Sequence, residues 1–299
     1  MKIIFWGTPD FAVESLKKIY ASRHSVIAVV TVPDTEKGRG LRISYSPVKQ
    51  FALENNIPVL QPENFKDDAF IEVLRTFQAD LYVVVAFRIL PREVFSIPPF
   101  GSFNLHGSLL PKFRGAAPIQ WALIKGEKVT GVTTFKLADK VDTGNVYLTK
   151  EIPILESDNF ASLHDKLAVL GGSAVMETID GIESDSLPLL PQDNALASPA
   201  PKITKEMCQI TWGLSVEDTL NLIRGVTPIP GAYFVKNDVL YKIHHAKIDF
   251  ASTLPPGSFF VDSESIKIGC NPGTLQILEI QKEGRKRMSA PEFLRGYKF

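Results

Sequence analysis

"IIFWGTPDFAVESLKKIY", residues 3–20, runs from a short apolar segment, Ile3–Trp6, through a turn into a helical pattern at Asp10–Tyr20. The same order of strand and helix follows twice more, at Val26–Val32 with Pro47–Asn55 and at Leu81–Ala86 with Arg92–Phe95. Further predicted elements are strands at Ser102–His106, Gly131–Leu137 and Val146–Ile154 and a long helix at Phe160–Asp180, with Leu163, Leu167, Leu170, Ala174 and Met176 on one face. This alternation predicts an α/β domain with a mostly parallel sheet covered by helices on both faces.

The composition changes in "SDSLPLLPQDNALASPAPK" (184–202), which carries four prolines and many small residues and is typical of a semi-extended linker. After it, one helix is predicted at Asp218–Arg224. Short strands follow at Ala232–Val235, Val239–Ala246, Gly257–Val261, Ser265–Gly269 and Thr274–Gln281. Such spacing predicts a small β-barrel. The expected organisation is therefore a domain over 1–183, a linker over 184–204 and a second domain over 205–299.

The overall charge excludes a globally basic nucleic-acid protein, because 33 Lys and Arg balance 33 Asp and Glu over 299 residues. A nucleic-acid partner would have to be held by local patches. Two cysteines, Cys208 and Cys270, form neither a disulfide framework nor a zinc-like spacing, which favours a reducing cytoplasm. The first apolar run is too short for a signal sequence or a membrane span, so a soluble protein without a membrane partner is expected.

The first strand–helix turn, Gly7–Asp10, stands where a dinucleotide-binding protein carries its glycine-rich phosphate loop. It has one glycine instead of three, and Pro9 removes a backbone donor. This argues against an NAD- or FAD-dependent enzyme. Gly7 either lets a ligand approach the end of the strand or only makes a tight turn, and the sequence leaves both readings open.

A candidate site lies in "FNLHGSLLPKFRGAAP" (103–118), where a predicted strand runs into a loop. Because alternate strand residues face the same way, Asn104 and His106 point to one side. Ligands of open parallel sheets bind beyond the carboxyl ends of the strands, where this pair stands. A lone histidine is more often a structural, hydrogen-bonded group. Beside an amide, however, it can hold and polarise a carbonyl oxygen.

A third polar group is Asp142 in "KVDTGN" (140–145), which on its own is typical of an Asx-turn. If the strand order brings it near His106, its carboxylate can orient the imidazole and accept a proton. The three residues then form a site without a Ser or Cys nucleophile and without a metal cluster. Such a site suits transfer of an acyl group between two bound molecules better than hydrolysis through a covalent intermediate.

Two basic stretches of the sequence each allow two interpretations. In the predicted long loop Pro33–Lys49, Lys37, Arg39, Arg42 and Lys49 outnumber Asp34 and Glu36, so the loop is either a solvated surface or a phosphate contact. Gln281–Phe299 carries six basic and two acidic residues and is either a phosphate-binding face or a solubilising tail.

The sequence resembles the methionyl-tRNA formyltransferase family, a group of 10-formyltetrahydrofolate-dependent formyltransferases, over essentially its whole length. The motif that carries the resemblance to folate-dependent enzymes is "FNLHGSLLPKFRGAAPIQWAL" (103–123). The motifs that narrow it to enzymes acting on tRNA include "IIFWGTPDFAV" (3–13), "PKITKE" (201–206) and "IRGVTPIPGAY" (224–233). Further matches are "GRG", "SPVK", "DLYVVVAF", "TGVTTFKL" and "VDTGNV".

The resemblance implies a Rossmann-like formyltransferase domain, a linker and an OB-like β-barrel that binds tRNA. Position by position, it implies catalytic roles for Asn104, His106 and Asp142, and folate contacts at Ser108, Leu109, Leu110 and Pro111. It implies tRNA contacts at Lys37, Arg39, Arg42 and Lys202. The expected formyl donor is 10-formyltetrahydrofolate, no metal is expected, and the expected acceptor is initiator methionyl-tRNA, bound by a monomer.

Two positions depart from the family pattern: Arg88 in "FRILP" (87–91) and Lys140, each where glycine is usual. Two rival functions stay open at this point. One is a folate-dependent formyltransferase acting on a sugar nucleotide or a purine precursor, which shares the Asn, His and Asp but needs no basic second domain. The other is a non-catalytic RNA-binding protein that keeps the fold.

Overall fold

A computed structural model of the chain describes residues 1–37 and 42–297. Its internal contacts divide it into two units. The first comprises residues 1–115, 131–152 and 164–199, and the second comprises 116–130, 153–163 and 200–299. Among the described residues, no helix is long and apolar enough to cross a membrane.

The strands of the first unit confirm the predicted parallel architecture. They are β1 (Lys2–Gly7), β2 (Ser25–Val30), β3 (Thr35–Lys37), β4 (Arg42–Ser44), β5 (Val59–Leu60), β6 (Leu81–Val85), β7 (Ser102–His106), β8 (Val129–Lys136) and β9 (Val146–Pro153). A seven-stranded sheet has the order β5-β2-β1-β6-β7-β8-β9. The strands from β5 to β7 pair in parallel, and β8 is antiparallel to β7. This Rossmann-like order places β7 between a parallel and an antiparallel neighbour.

The helices are α1 (Asp10–Tyr20), α2 (Pro47–Glu54), α3 (Asp68–Thr76), α4 (Arg92–Phe95), α5 (Pro118–Ile124), α6 (Phe160–Glu183), α7 (Val216–Val226) and α8 (Ala290–Gly296). Single 3-10 turns lie at Asn194–Leu196 and Glu206–Cys208. Helix α2 begins where predicted because the Ser46 hydroxyl accepts the Lys49 N–H and Pro47 fits the first turn.

The buried face of α6 differs in part from the predicted one. Leu163, Leu167 and Ala174 are fully buried, whereas Leu170 and Met176 are half-buried. The buried stripe passes instead through Gly171, where an added Cβ would lie 2.6 Å from Leu105 Cδ2. Close approach of α6 to the end of β7 therefore requires a residue without a side chain.

Gly7 is explained by packing within the protein. A Cβ added there would lie 2.8 Å from Ala12 Cβ and 2.8 Å from Phe5 Cε1. Such contacts cannot be made without moving the turn between β1 and α1. Of the two readings of Gly7, the structure favours the tight turn.

The segment predicted as one long loop, Pro33–Lys49, contains the antiparallel pair β3 and β4. Lys37, the last residue of β3, is paired through its backbone with Arg42, the first residue of β4. Arg39 lies outside the described residues. Lys49 sits in the first turn of α2, where its ammonium contacts Asp34 at 2.5 Å and Gln61 at 2.8 Å.

The second unit contains the predicted OB-like antiparallel sheet. Its strands are β10 (Ala232–Lys236), β11 (Val239–Ile248), β12 (Phe259–Val261), β13 (Ile266–Gly269), β14 (Thr274–Lys282) and β15 (Met288–Ser289), in the order β10-β11-β14-β13-β12 with β15 on β14. The basic stretch Gln281–Phe299, expected to be either a solubilising tail or a phosphate-binding face, is folded over most of its length. Helix α8 has a capping box of Ser289 and Glu292 and buries Phe293 in the core of this unit.

Asp249 gives this unit a pH-dependent stability. The Lys267 ammonium, 2.7 Å away, and the Ser252 hydroxyl hold the pKa of Asp249 at about 2, below its ordinary 3.8. Because the folded pKa is lowered, the stabilisation is complete above the unfolded pKa and is lost as the pH falls toward 2. We therefore expect Asp249→Asn to lower the free energy of unfolding at pH 7 and to approach the wild type in acid.

The free energy of unfolding of the second unit, measured by urea unfolding at pH 7, 5 and 3, checks this expectation. The matched control is Asp238→Asn, which removes an exposed turn carboxylate of the same unit. A deficit of Asp249→Asn that is equally large at every pH would contradict an electrostatic origin.

Candidate active site

Strand β7 presents Asn104 and His106 on one face, as predicted. Asn104 lies opposite Val84 of β6 and Phe135 of β8, and His106 lies opposite Thr133 of β8. His106 is the last residue of β7 and is buried, whereas Asn104 is half-buried. The pair therefore stands at the carboxyl edge of the sheet, where the chain leaves the strand.

One ring nitrogen of His106 is committed to the protein backbone. Nε2 lies 2.8 Å from the carbonyl oxygen of Phe113. Because a carbonyl oxygen can only accept, Nε2 carries a proton and donates it. Phe113 has a left-handed backbone with φ of 60°, which few residues other than glycine adopt. The bond leaves Nδ1 as the nitrogen available for chemistry.

The structure brings Asp142 to that nitrogen. Asp142 Oδ2 lies 3.8 Å from His106 Nδ1 and accepts the Gly115 N–H at 2.8 Å. A separation of 3.8 Å is too long for a direct hydrogen bond, but an atom placed about 2.8 Å from each can contact both. The Asp142 backbone is also left-handed, with φ of 55°. The distance suits a reacting nitrogen or a water that contacts both the imidazole and the carboxylate.

The Asn104 amide is the third polar group of the cluster. Among the described residues it has no hydrogen-bond partner, although it is half-buried. An amide N–H on the same strand face as His106 is a ready donor to an oxygen bound beside the ring. Together, the three side chains can bind a carbonyl oxygen, carry a proton and hold an attacking group.

The predicted folate segment follows directly after His106 and Gly107. The Ser108 hydroxyl donates to the Lys112 carbonyl at 2.6 Å, and the Thr133 hydroxyl links the Ser108 carbonyl to the Leu110 N–H. Ser108 and Leu110 are buried in this network, whereas Leu109 and Pro111 are half-buried. The apolar surface that this segment offers to a ligand comes from Leu109 and Pro111.

The predicted tRNA contacts are distributed over both units. Lys37 and Arg42 belong to the first unit, at the end of the β3–β4 hairpin. Lys202 is an exposed residue of the second unit. Arg39 is outside the described residues.

The two departures from the family pattern are accommodated locally. The Arg88 guanidinium donates to the Pro62 carbonyl at 3.0 Å and lies 4.4 Å from the centre of the Phe65 ring. The Lys140 carbonyl accepts the Thr143 hydroxyl at 2.9 Å, which closes the turn that carries Asp142.

Sequence reasoning missed Phe113, Gly115 and Gln192. The first two act through a carbonyl and an N–H, which every residue possesses, so the sequence carries no signal for them. Gln192 donates to the Asp142 carbonyl at 2.9 Å from within the predicted linker. Its position in a proline-rich stretch gave no indication of a role at the site.

A second cluster of titratable groups lies elsewhere in the first unit. Ligand-type atoms of His24, Asp180 and Glu183 lie within 4.8 Å of one another. The Arg23 guanidinium contacts both carboxylates at 2.7 Å, and its hydrogen bond lowers the pKa of Asp180. Arg23 therefore already pairs with both carboxylates, and the amino group of Met1 pairs with Glu183 as well.

Comparisons with known proteins give consistent results. The formyl transferase family profile matches residues 1–179, and the formyl transferase C-terminal domain profile matches 202–298. A methionyl-tRNA formyltransferase of Bacteroides thetaiotaomicron is 46% identical, with 100% of this chain and 96% of that protein covered. Another, of Flavobacterium johnsoniae, is 44% identical, with 100% and 97% covered.

Solved structures support the fold. WlaRD, a sugar 3N-formyl transferase crystallised with dTDP and 5-N-formyl-THF, superimposes with a TM-score of 0.70 at 23% identity, covering 96% of this chain and 99% of that one. HypX from Aquifex aeolicus, in complex with tetrahydrofolic acid, gives 0.65 at 18% identity. The match covers 100% of this chain and 48% of HypX, so this chain spans about half the length of that protein.

Proposed function

This chain belongs to the formyl transferase family, and from that membership we propose that Asn104, His106 and Asp142 are its catalytic residues. It transfers a formyl group from 10-formyltetrahydrofolate to the α-amino group of methionine on initiator methionyl-tRNA. The products are N-formylmethionyl-tRNA and tetrahydrofolate. The full-length relatives at 46% and 44% identity support this activity over transfer to a sugar nucleotide or a purine precursor. The observation that carries the catalytic assignment is the approach of Asp142 to the free nitrogen of His106, beside the unpartnered Asn104 amide.

The residues at the carboxyl edge of the sheet, beside His106, fit a folate formyl donor. A carbonyl-bearing ligand needs a hydrogen-bond donor, which the half-buried Asn104 amide supplies without breaking an existing bond. An aromatic ring system needs apolar surface, and the half-buried Leu109 and Pro111 supply it. When bound, the folate provides the formyl carbon and accepts a proton as it leaves.

The reaction requires the protein to stabilise a negative charge, to accept a proton and to keep the His106 ring in place. A bond forms between the methionine nitrogen and the formyl carbon while the carbon–nitrogen bond to the folate breaks, and negative charge develops on the formyl oxygen. The Asn104 amide and a protonated His106 Nδ1 donate to that oxygen. Asp142 takes a proton from the attacking amine, directly or through water, and its Gly115 hydrogen bond fixes the carboxylate for this task. Phe113 keeps the His106 ring in one orientation.

Several finer assignments rest on the resemblance and are part of the proposal. The folate contacts are Ser108, Leu109, Leu110 and Pro111, and the tRNA contacts are Lys37, Arg39, Arg42 and Lys202. The domains are a catalytic domain over 1–183, a linker over 184–204 and a tRNA-binding domain over 205–299. The protein acts as a monomer in the cytoplasm and needs no metal.

The role of the basic stretch Pro33–Lys49 is tested by Arg39→Ala. Because it removes a phosphate contact, we expect KM for tRNA to rise several-fold and the salt dependence of tRNA affinity to fall by about one unit of log–log slope. Tetrahydrofolate binding should stay unchanged. Steady-state kinetics over a salt series, with Arg75→Ala as a control arginine on α3, measures both. An equal loss of folate binding would assign the stretch Pro33–Lys49 a structural role instead.

The choice of acceptor is tested by incubating the protein and 10-formyltetrahydrofolate with methionyl initiator tRNA, with a dTDP-linked amino sugar, or with an amino-bearing purine precursor. Formylated product is expected only with the tRNA. Product only with the sugar nucleotide or the purine precursor would support the rival enzyme. No product with any acceptor, in the presence of a working positive control, would support the non-catalytic RNA-binding protein.

A further inference from the structure

The stretch of chain that follows helix α6 is hydrogen-bonded to two loops of the candidate active site. We call residues 190–199 the exit segment. It begins with a pair of backbone hydrogen bonds between Leu190 and Val146, at 2.7 and 2.9 Å. Near its end, Ser198 accepts the Arg114 N–H through its carbonyl at 2.8 Å and the Phe113 N–H through its hydroxyl at 2.9 Å. The exit segment is therefore bonded to the loop that fixes His106.

Gln192 connects the same segment to the turn that carries Asp142. Its amide nitrogen donates to the Asp142 carbonyl at 2.9 Å and to the Gly144 carbonyl at 2.7 Å. Its amide oxygen accepts from Arg114 Nε at 3.1 Å and Nη2 at 2.6 Å. Every polar position of the amide is used, and the orientation is unique because a guanidinium only donates and a carbonyl only accepts.

The Gly115 N–H holds the Asp142 carboxylate, and the backbone of the turn that carries this residue needs support of its own. Asp142 has a left-handed backbone, and Gly144 is packed so tightly that an added Cβ would lie 1.7 Å from the Lys136 carbonyl oxygen. Among the described residues, the Thr143 hydroxyl donates to the Lys140 carbonyl within the turn, and the Lys136 N–H donates to the Asn145 carbonyl at its base. The two Gln192 bonds hold it on either side of Thr143, at the residue that faces His106 and at Gly144.

We propose that Gln192 is a positioning residue for formyl transfer, which holds the Asp142 turn at its working distance from His106 and is itself oriented by Arg114. The inference rests on the proposed function of Asp142. Arg114 follows Phe113, so the chain Phe113–Arg114–Gln192–Asp142 links the two halves of the site. Gln192, a residue outside the motif 103–123, thereby contributes to the geometry of the catalytic pair.

The decisive variant is Gln192→Glu, because a carboxylate keeps the pairing with Arg114 but cannot donate to the turn. We expect Gln192→Glu and Gln192→Ala both to lower kcat by about tenfold to a hundredfold, as loss of a supporting partner does elsewhere, with KM values for tRNA and folate unchanged. The control is Asn194→Ala, which removes the other side-chain acceptor of Arg114 Nη2 and has no bond to the turn. It should keep the wild-type kcat.

A second readout does not depend on activity. The Gly115 N–H is bonded to Asp142 Oδ2, so its hydrogen exchange reports whether the carboxylate is in place. We expect its exchange, measured well below the thermal midpoint of each protein, to be about tenfold faster or more in both Gln192 variants and unchanged in Asn194→Ala. A Gln192→Glu protein with wild-type kcat, or with unchanged Gly115 exchange, would overturn the inference. If Gly115 exchanges faster in both Gln192 variants than in the wild type, but the wild type makes no formylmethionyl-tRNA, the proposed function fails while the structural link between Gln192 and Asp142 survives.

Discussion

Asp142→Asn is expected to lower kcat for formylation of methionyl-tRNA by about 10²- to 10⁴-fold, the usual contribution of a positioned proton acceptor. The substitution removes the charge and the proton-accepting capacity while keeping the shape. Asparagine tolerates the left-handed backbone at this position, and its amide oxygen can still accept the Gly115 N–H. The loss should therefore fall on kcat, with KM for tRNA and the thermal midpoint nearly unchanged. Single-turnover kinetics and a thermal scan measure these quantities.

The control is Asp139→Asn, which removes an exposed carboxylate three positions earlier that pairs with Arg92. It should leave the rate within about twofold, because an exposed ion pair contributes little even to stability. A rate for Asp142→Asn close to that of Asp139→Asn would show that His106 works without the carboxylate.

Asn104→Ala is expected to lower kcat by about a hundredfold to a thousandfold, the cost of removing one donor to a developing oxyanion. Because the amide has no partner among the described residues, the substitution breaks no bond of the free protein, so stability should change little. The effect should appear equally in kcat and kcat/KM, since the donation strengthens in the transition state.

Steady-state kinetics and urea unfolding of the same preparation separate the two quantities. Asn145→Ala, in the exposed end of the Asp142 turn, serves as the matched control. If Asn104→Ala raised KM for folate with an unchanged kcat, the amide would bind the ground state only and would not stabilise the oxyanion.

Much of the scaffold could be predicted because it follows from periodicity. Alternation along Ser102–His106 places Asn104 and His106 on one face, and the strand–helix order places them at the carboxyl edge of a parallel sheet. Periodicity did not assign their role, since a histidine there is more often structural. The family resemblance supplied the catalytic assignment, which stays a prediction until it is tested.

Some elements were not predicted. Helix α3 was missed although Phe70, Ile71 and Leu74 recur on one helical face, where the first two pack against the core that contains Leu74. The β3–β4 hairpin is another, because each of its strands has three residues. The α8 helix was hidden in a charged stretch, although its capping box and Phe293 are visible once the pattern is sought.

The contacts that fix the site were beyond sequence reasoning for a different reason. His106 is held by the Phe113 carbonyl and Asp142 by the Gly115 N–H and Gln192, so the supporting atoms are mostly backbone or lie 50 residues away in the chain. Left-handed backbones at Phe113 and Asp142 are consequences of the tertiary fold and leave no trace in composition. The positions of such groups emerge only when the strands and the exit segment are placed together.

The most direct measurement is a single turnover with enzyme in excess over methionyl initiator tRNA and labelled 10-formyltetrahydrofolate, followed by hydrolysis of the tRNA ester and identification of the amino acid released. We expect N-formylmethionine in amounts that approach the charged tRNA for the wild type, and a rate lower by at least about a hundredfold for Asp142→Asn run alongside. Unmodified methionine from the wild type, or equal rates for the two proteins, would contradict this expectation.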